Sequence, residues 1–206
     1  MLDVVQQKQA ARAEALARRD DIPQALREQK SATISSRLAA KLDRLLGSRQ
    51  GGPVTMATYA AMGSEPDPIV FASYAERRGC RVAYPCMLAA AEAAASGQRM
   101  CMRAVAAGDV DTTPFIAYPT RAFAATDIDS VRFPIVPAEA LDMIVVPLVA
   151  CDLTGARLGY GGGCYDRYLP TLSPACQIVG IAFDEQCISH VPTDAHDLPL
   201  PNIFSA

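Results

Sequence analysis

The residues most able to do chemistry lie in one glycine-rich stretch, RLGYGGGCYDRYL at residues 157–169. Its glycines let backbone N–H groups approach an anion, and a short helical pattern follows them, so that a helix N-terminus points toward the same place. Arg157 and Arg167 add guanidinium donors that match phosphate oxygens, and Asp166 supplies a carboxylate of the kind that holds magnesium. The stretch therefore predicts a phosphate-binding loop.

The stretch matches neither of two common nucleotide-binding fingerprints. No Gly-Lys-Ser or Gly-Lys-Thr follows the glycines, which excludes a Walker A loop, and Cys164 occupies the last glycine position of a G-x-G-x-x-G pattern. Glycines at a turn between a strand and a helix can also serve close packing alone. The phosphate interpretation therefore depends on the two arginines, Tyr165 and Asp166, which stand in the same stretch.

Two continuous apolar runs predict strands that are buried on both faces, as in a parallel sheet. They are residues 141–150 (LDMIVVPLVA) and 177–183 (QIVGIAF). Shorter runs predict three more strands, and the composition between them predicts helices. The further strands are predicted at 54–59, at 81–84 with Pro85 ending it, and at 99–105; the helices are predicted at 4–19, 24–46, 67–78 with Asp67 as N-cap, 88–95 and about 163–169.

These elements predict an α/β fold class, with a single three-layer α/β/α domain over residues 1–206 and a mainly parallel sheet. The helical pair at about 4–46 is expected to pack on an α/β core at 53–206, and the glycine-rich phosphate loop is expected at the C-terminal end of a strand. Residues 110–140 carry four prolines and no clear period, which predicts a long functional loop.

Composition restricts the function classes. The chain has 206 residues, half of them apolar, and a formal net charge of −3 with a pI near 5.4, which argues against a general nucleic-acid binder. The sequence contains no apolar run of about 18 residues, so no membrane span is predicted, and residues 1–21 lack the apolar segment of a signal peptide. We therefore expect a cytoplasmic, globular monomer that binds neither nucleic acid nor membrane.

The seven cysteines are odd in number and form no C-x-x-C pair, so neither a disulfide framework nor a zinc ribbon is predicted. They are interpreted as small core residues. A second interpretation gives Cys164 a lowered pKa, because it stands beside the glycine loop and a helix N-terminus. Thiol redox or metal chemistry would be indicated by two cysteine sulfurs lying close together.

The glycine-rich stretch resembles the signature of 5-formyltetrahydrofolate cyclo-ligases, also called 5,10-methenyltetrahydrofolate synthetases, which reads approximately R-[LI]-G-x-G-x-G-[YF]-Y-D-R. Further segments resemble the same family in the right order along the chain. They are KQAAR at 8–12, YAAMGSEPD at 59–67, MCMRAVAAGD at 100–109, LDMIVVPLVACD at 141–152 and IAFDEQCISHVPTDAHDLPL at 181–200. The last segment contains Gln186 and a His196-Asp197 pair.

The resemblance implies an ATP-driven ring closure. In that reaction the formyl oxygen of 5-formyltetrahydrofolate attacks the γ-phosphate of ATP, and a folate nitrogen then closes the ring. Phosphate leaves, and 5,10-methenyltetrahydrofolate and ADP are the other products. ATP and Mg2+ would be the cofactors and a small-molecule folate the substrate. Positioning and charge neutralisation would dominate catalysis.

The resemblance also implies roles for individual residues. The ATP-binding residues would be Lys8, Arg12, Arg157, Leu158, Gly159, Tyr160, Gly161, Gly162, Gly163, Cys164 and Tyr165. Asp166 and Asp197 would hold magnesium. Glu65 would bind the hydrogen-bonding edge of the pterin. Tyr165 and Arg157 would be catalytic, and Tyr165 would also contact the substrate.

Several positions depart from the family pattern. Cys164 replaces the first of two aromatic residues before Asp-Arg, and Cys151 stands where phenylalanine usually precedes the aspartate. The stretch at 110–140 lacks the family's Glu-Pro, and the chain has no tryptophan. Because these departures fall mainly on folate-facing positions, the alternative is a diverged member that binds nucleotide or folate without this reaction, or that acts on a different substrate.

Overall fold

The structure is a computed structural model that describes residues 3–49, 51–194 and 197–206. Within these ranges the helices are α1 (Val4–Asp20), α2 (Gln24–Ser48), α3 (Ile69–Arg77), α4 (Ala90–Ser96), α5 (Pro114–Ala117) and α6 (Cys164–Tyr168). The strands are β1 (Thr55–Ala57), β2 (Arg81–Leu88), β3 (Met100–Ala104), β4 (Ala122–Phe123), β5 (Ile135–Val136), β6 (Met143–Pro147), β7 (Ala150–Cys151), β8 (Arg157–Leu158), β9 (Gln177–Ala182) and β10 (Ile203–Ser205). No helix among the described residues is long and apolar enough to cross a membrane.

The main sheet has the strand order β10-β9-β6-β1-β2-β3-β5, with β4 paired beside β2. Its neighbouring strands are parallel except at β2–β3 and β3–β5, which are antiparallel. The predicted mainly parallel sheet is therefore confirmed. The central strand β6 explains the continuous apolar run, because Met143 and Val145 face one hydrophobic cluster while Ile144 and Val146 face another.

Helices cover both faces of the sheet, which confirms the α/β architecture. Leu38, on the buried apolar stripe of α2, packs with Phe71 of α3 on the face that carries Met143. Tyr168 of α6 packs on the opposite face with Ile144. The two faces together form the layered core expected when helices lie on both sides of a parallel sheet.

Helix α1 differs from α2 because it buries charge instead of an apolar stripe. It begins with a capping box in which Asp3 accepts a hydrogen bond from the Gln6 backbone N–H at 2.8 Å, and the Gln6 side chain accepts one from Asp3 at 3.2 Å. Its buried residues are Lys8, Ala15 and Arg19. A helix with two buried cations must lie against groups that can pair with them.

The prediction that Pro85 ends its strand is wrong, since β2 continues to Leu88. On the β3 side, Val105 N donates to Val82 O and Leu88 N donates to Arg99 O. The even-numbered residues of β2 therefore direct their backbone N–H and C=O groups toward β3, and the odd-numbered residues direct theirs to the other side. Pro85 therefore presents its missing N–H to the other side. There β1 has already ended and β4 begins only beside Met87. A proline is tolerated at this position because the ladder has a gap there.

The stretch 110–140 is more ordered than the predicted long loop. It contains α5, β4 and β5 with short 3-10 turns between them. Its phenylalanines are buried, and the rings of Phe115 and Phe133 pack edge to face with centroids 5.5 Å apart. Burial of these rings therefore orders the segment, although its prolines interrupt the hydrophobic period that would predict helices or strands.

The apolar run at 141–150 is divided between two sheets. Strand β6 ends at Pro147, and β7 then pairs with β8 as a separate antiparallel hairpin. The turn of this hairpin requires Gly155, whose φ is +85°. Its amide oxygen accepts a hydrogen bond from Leu200 N at 2.8 Å. The hairpin thereby holds the C-terminal segment.

We expect Gly155→Ala to destabilise the fold by about 2–4 kcal/mol. An added Cβ would lie 2.5 Å from the Leu200 carbonyl oxygen, on a backbone that side chains other than glycine rarely adopt. Urea denaturation measures the change. The matched control is Gly47→Ala in α2, which meets nothing within 4 Å and should raise stability by up to about 1 kcal/mol. Equal effects of the two substitutions would contradict the close approach at Gly155.

Candidate active site

One cleft of about 1080 Å³ lies where α1, the segment after β1, β2 and the glycine-rich stretch meet. Every residue that the sequence proposed for ATP, folate or metal lines it. They are Lys8, Arg12, Glu65, Arg157, Leu158, Gly159, Tyr160, Gly161, Gly162, Gly163, Cys164, Tyr165, Asp166 and Asp197. Their placement is a finding, whereas their individual roles stay predictions. His196 lies outside the described residues.

The glycine-rich loop begins at the C-terminal end of β8, the second strand of the small antiparallel β7–β8 hairpin. Gly161 and Gly163 have φ values of +94° and +62°, and Gly163 is the N-cap of α6. The helix that follows has five residues, too few for a strong macrodipole. Positive charge at this loop therefore comes chiefly from side chains.

Arg157 is the most deeply placed of these cations. Its Nη2 donates to Asp166 Oδ1 at 2.8 Å, while its Nε is buried with no hydrogen-bond partner in the described part of the chain. A buried guanidinium donor without a partner costs free energy unless a ligand or water accepts from it. The ion pair with Asp166 thus orients the guanidinium group, while one of its donors stays buried and unsatisfied in the wall of the cleft.

Lys8 links α1 to the C-terminal segment. Its Nζ donates to Asp194 Oδ2 at 2.6 Å and to Asp197 Oδ2 at 2.5 Å. Burial alone would lower the pKa of Lys8, but the hydrogen bonds and charges of the two aspartates outweigh burial and raise the pKa. Lys8 is therefore a fixed positive charge at neutral pH.

Arg12 stands one turn further along α1 and fixes the glycine loop. Its Nε donates to the Gly159 carbonyl oxygen at 2.7 Å. A Cβ at Gly161 would lie 3.8 Å from its guanidinium group. The guanidinium therefore lies against the loop backbone, with the charge of Lys8 on the same face of the helix.

A buried network around Arg19 completes the site and was missed by the sequence analysis. Arg19 is 4% exposed, and its Nε donates to Ser64 Oγ at 2.9 Å. Its Nη1 and Nη2 donate to the Tyr160 hydroxyl at 3.1 and 3.2 Å, and that hydroxyl donates to Glu65 Oε1 at 2.8 Å. The spacing of Lys8, Arg12 and Arg19 on one helical stripe was the signal that could have found it.

Glu65 is held in place from two sides. Besides the Tyr160 hydroxyl, the Met62 backbone N–H donates to its Oε2 at 2.8 Å. Burial raises the pKa of Glu65, and these two hydrogen bonds oppose the rise. A carboxylate fixed in this way can accept further hydrogen bonds from a ligand that carries adjacent N–H groups.

The phenol of Tyr165 and the thiol of Cys164 both stay protonated at neutral pH. Burial raises the pKa of Tyr165, so its hydroxyl can donate a hydrogen bond but is not a base at neutral pH. Burial also raises the pKa of Cys164. The interpretation that gave Cys164 a lowered pKa is therefore wrong, because desolvation of the thiol outweighs the nearby arginines and the short helix.

The carboxylates of the cleft fit a magnesium ion that arrives with a nucleotide. No group of three or more His, Cys, Asp or Glu side chains among the described residues could hold a metal by itself. Magnesium usually takes one or two protein carboxylates together with phosphate oxygens and water. Asp166 and Asp197 are oxygen donors on the wall of one cleft, which is the donor set that such an ion requires.

Comparison with known proteins points to one family. A profile of the 5-formyltetrahydrofolate cyclo-ligase family matches residues 4–206. A 5-formyltetrahydrofolate cyclo-ligase from Escherichia coli (strain K12) is 43% identical over 72 residues, which is 34% of this chain and 40% of the relative. One from Mycolicibacterium smegmatis is 35% identical over 75 residues, which is 35% of this chain and 39% of the relative. The aligned segments thus span about two fifths of the length of these curated relatives.

Solved structures show the same fold over nearly the whole chain. A 5,10-methenyltetrahydrofolate synthetase from Mycoplasma pneumoniae superposes with a TM-score of 0.68 at 20% identity, covering 95% of this chain and 96% of that one. The 5,10-methenyltetrahydrofolate synthetase from Aquifex aeolicus superposes with a TM-score of 0.65 at 24% identity, covering 96% and 89%. At these identities the likeness establishes the fold.

We expect Arg19→Met to lower the free energy of unfolding by about 2–4 kcal/mol, because Ser64 and Tyr160 lose a buried donor. Arg18→Met is the matched control on the same helix. Arg18 is exposed and pairs only with Glu14 one turn away, so its loss should change stability by no more than about 0.5 kcal/mol. Urea denaturation compares the two. A similar small change in both variants would show that the Arg19 network contributes little to the fold.

Proposed function

The chain belongs to the 5-formyltetrahydrofolate cyclo-ligase family, and we propose that it cyclises 5-formyltetrahydrofolate to 5,10-methenyltetrahydrofolate with consumption of ATP and release of ADP and phosphate. The observation that carries this proposal is the cleft itself. The proposed ATP residues, the proposed folate residue and the two carboxylates line one continuous space, although they come from both ends and the middle of the chain.

The ATP phosphates are proposed to lie between α1 and the glycine-rich loop. Lys8, Arg12 and Arg157 bring three positive charges to this part of the cleft, and the loop backbone can approach closely because its glycines lack side chains. Asp194 and Asp197 orient the Lys8 side chain before a nucleotide binds. A phosphate that contacts Lys8 would then compete with the two aspartates for its N–H donors.

The folate is proposed to occupy the apolar side of the same cleft. Tyr84, Pro85, Met87 and Phe115 line the cleft there and form an apolar wall. Such a wall suits the flat rings of a folate, and it stands in for aromatic residues that the loop lacks. Glu65, fixed by Met62 and Tyr160, would accept hydrogen bonds from the N–H groups of the pterin.

The chemical step depends on positioning and on charge. An amide oxygen is a poor leaving group until it is phosphorylated, so the formyl oxygen must meet the γ-phosphate in line before the folate nitrogen closes the ring. Arg157, which lines the cleft and is aligned by Asp166, is proposed to neutralise charge on the phosphate during transfer. The neutral hydroxyl of Tyr165 is proposed to donate a hydrogen bond to the reacting groups.

Asp166 and Asp197 are proposed to hold magnesium together with the ATP phosphates. When bound, the ion would neutralise phosphate charge and orient the γ-phosphate. Asp166 also pairs with Arg157 at 2.8 Å, so the carboxylate would keep that guanidinium aligned at the same time. The two functions make Asp166 the residue whose charge the reaction should need most.

We expect Asp166→Asn to lower the rate of ATP- and magnesium-dependent formation of methenyltetrahydrofolate by at least about 100-fold while the protein stays folded. The rate is followed by absorbance of the methenyl product, and circular dichroism checks the fold. Asp111→Asn is the matched control, because Asp111 is exposed outside the cleft, and it should keep the parent rate. Normal turnover of the Asp166→Asn enzyme would refute the metal assignment. Loss of turnover in both variants would show that the effect is not specific to the cleft.

A further inference from the structure

Two cysteine sulfurs come together outside the residues assigned to the reaction. Cys151 lies on β7, and Cys187 lies after the 3-10 turn that follows β9. Their Sγ atoms are 3.3 Å apart although the residues are 36 positions apart in the chain. Two sulfurs this close together are what thiol redox chemistry requires.

The backbone around the two thiols already has the geometry that a disulfide needs. Cys151 and Cys187 form a parallel β-bridge, and Ile188 N donates to the Cys151 carbonyl oxygen at 2.8 Å. Neighbouring strands lie about 4.8 Å apart, within the roughly 4.4–6.8 Å between Cα atoms that disulfides span. Only the sulfurs must approach further, to the bond length of about 2.05 Å.

We propose that Cys151 and Cys187 are a redox-active pair that a peroxide converts to a reversible disulfide. The Cys187 thiolate attacks one peroxide oxygen, the O–O bond breaks, and Cys187 becomes a sulfenic acid while the other oxygen leaves as hydroxide and takes up a proton to form water. The Cys151 thiol then attacks the sulfenic sulfur, its proton is lost, and water leaves as the S–S bond forms. Two electrons pass from the two thiols to the peroxide. A dithiol reductant reverses the step.

The two cysteines have different environments, which assigns their roles. Cys187 is half-buried, whereas Cys151 is 1% exposed. A hydrogen bond from Cys151 lowers the pKa of Cys187, and the same hydrogen bond together with burial raises the pKa of Cys151. Cys187 is thus the thiol that a peroxide reaches as thiolate, and Cys151 is the thiol that resolves the sulfenic acid.

A second cysteine pair provides an internal comparison. Cys86 and Cys101 are opposite each other on the antiparallel strands β2 and β3. The Cys86 sulfur is directed at the Met87 carbonyl oxygen, at 3.9 Å. Its hydrogen bond with Cys101 raises the pKa of Cys86 and lowers the pKa of Cys101. The proposal is made for Cys151 and Cys187 because their Sγ atoms lie 3.3 Å apart and a backbone bridge joins the two residues.

A Cys151–Cys187 bond would tie together two segments that border the cleft. Strand β7 leads into the hairpin that carries Arg157, and Val191 N donates to Asp152 Oδ2 at 2.9 Å just beyond Cys187. The segment after Val191 continues to the aspartates that pair with Lys8. The crosslink would close a loop of 36 residues and should raise the melting temperature by about 5–15 °C.

The test uses the 206-residue chain with Cys176→Ser as background. Trypsin releases Cys151 on the peptide 133–157, and Cys187 on the peptide 168–206, which also holds position 176. With Cys176 replaced, a link between these two peptides can only join Cys151 to Cys187. The protein is treated with one equivalent of hydrogen peroxide, and its remaining thiols are then blocked under denaturing conditions. The masses of the tryptic peptides are measured by mass spectrometry with and without dithiothreitol.

We expect a linked species whose mass is two hydrogens less than the sum of the two peptides. Reduction with dithiothreitol should remove both this link and the increase in melting temperature. Addition of Cys187→Ser should abolish both. Thermal melting of the untreated variant checks that it folds, and Cys187→Ala replaces it if it does not. Three results would overturn the proposal: no crosslink, oxidation of Cys187 to the sulfinic acid without a link to Cys151, or a link only between the peptides 82–99 and 100–103 that hold Cys86 and Cys101.

Discussion

Helix α1 has little apolar surface and buries cations instead, and the burial of these charges determines where the helix can pack. Lys8 and Arg19 are among the buried residues of α1, and Arg12 is half-buried on the same stripe. Removal of a charged group from water costs several kcal/mol, on the order of 5, unless the group finds charge or hydrogen-bond partners. The helix is therefore stable only where such partners are present, and its docking position is set by polar groups more than by apolar packing.

The partners come from parts of the chain that are far apart, and this is how the site is assembled. The C-terminal segment supplies two aspartates to Lys8, the glycine-rich loop supplies a carbonyl oxygen to Arg12, and the segment after β1 joins the same loop around Arg19. Docking of α1 and formation of the cleft are consequently one event. Two of the cations that hold the helix, Lys8 and Arg12, also line the cleft where a nucleotide is proposed to bind.

The sequence predicted the parts of this arrangement that have a local signal. The apolar run of β6 and the apolar stripe of α2 reflect burial that neighbouring residues share, and the glycine-rich stretch has its chemistry within a few positions. Partnerships across the chain have no such signal. Nothing near Tyr160 reveals that its hydroxyl joins Arg19 to a buried glutamate, and nothing near Cys151 reveals that Cys187 lies beside it. Pro85 misled the prediction because a proline ends a strand only where its N–H would have had a partner.

The most direct test of the account is absorbance of the methenyl product with purified protein, magnesium and 5-formyltetrahydrofolate, recorded with and without ATP. The account predicts a rise that requires ATP, because phosphorylation of the formyl oxygen must precede ring closure. Absence of a rise, while calorimetry still detects ATP binding, would contradict the proposed reaction and would indicate a nucleotide-binding member of the family with a different substrate or with none. A rise without ATP would contradict the role given to the cationic side of the cleft.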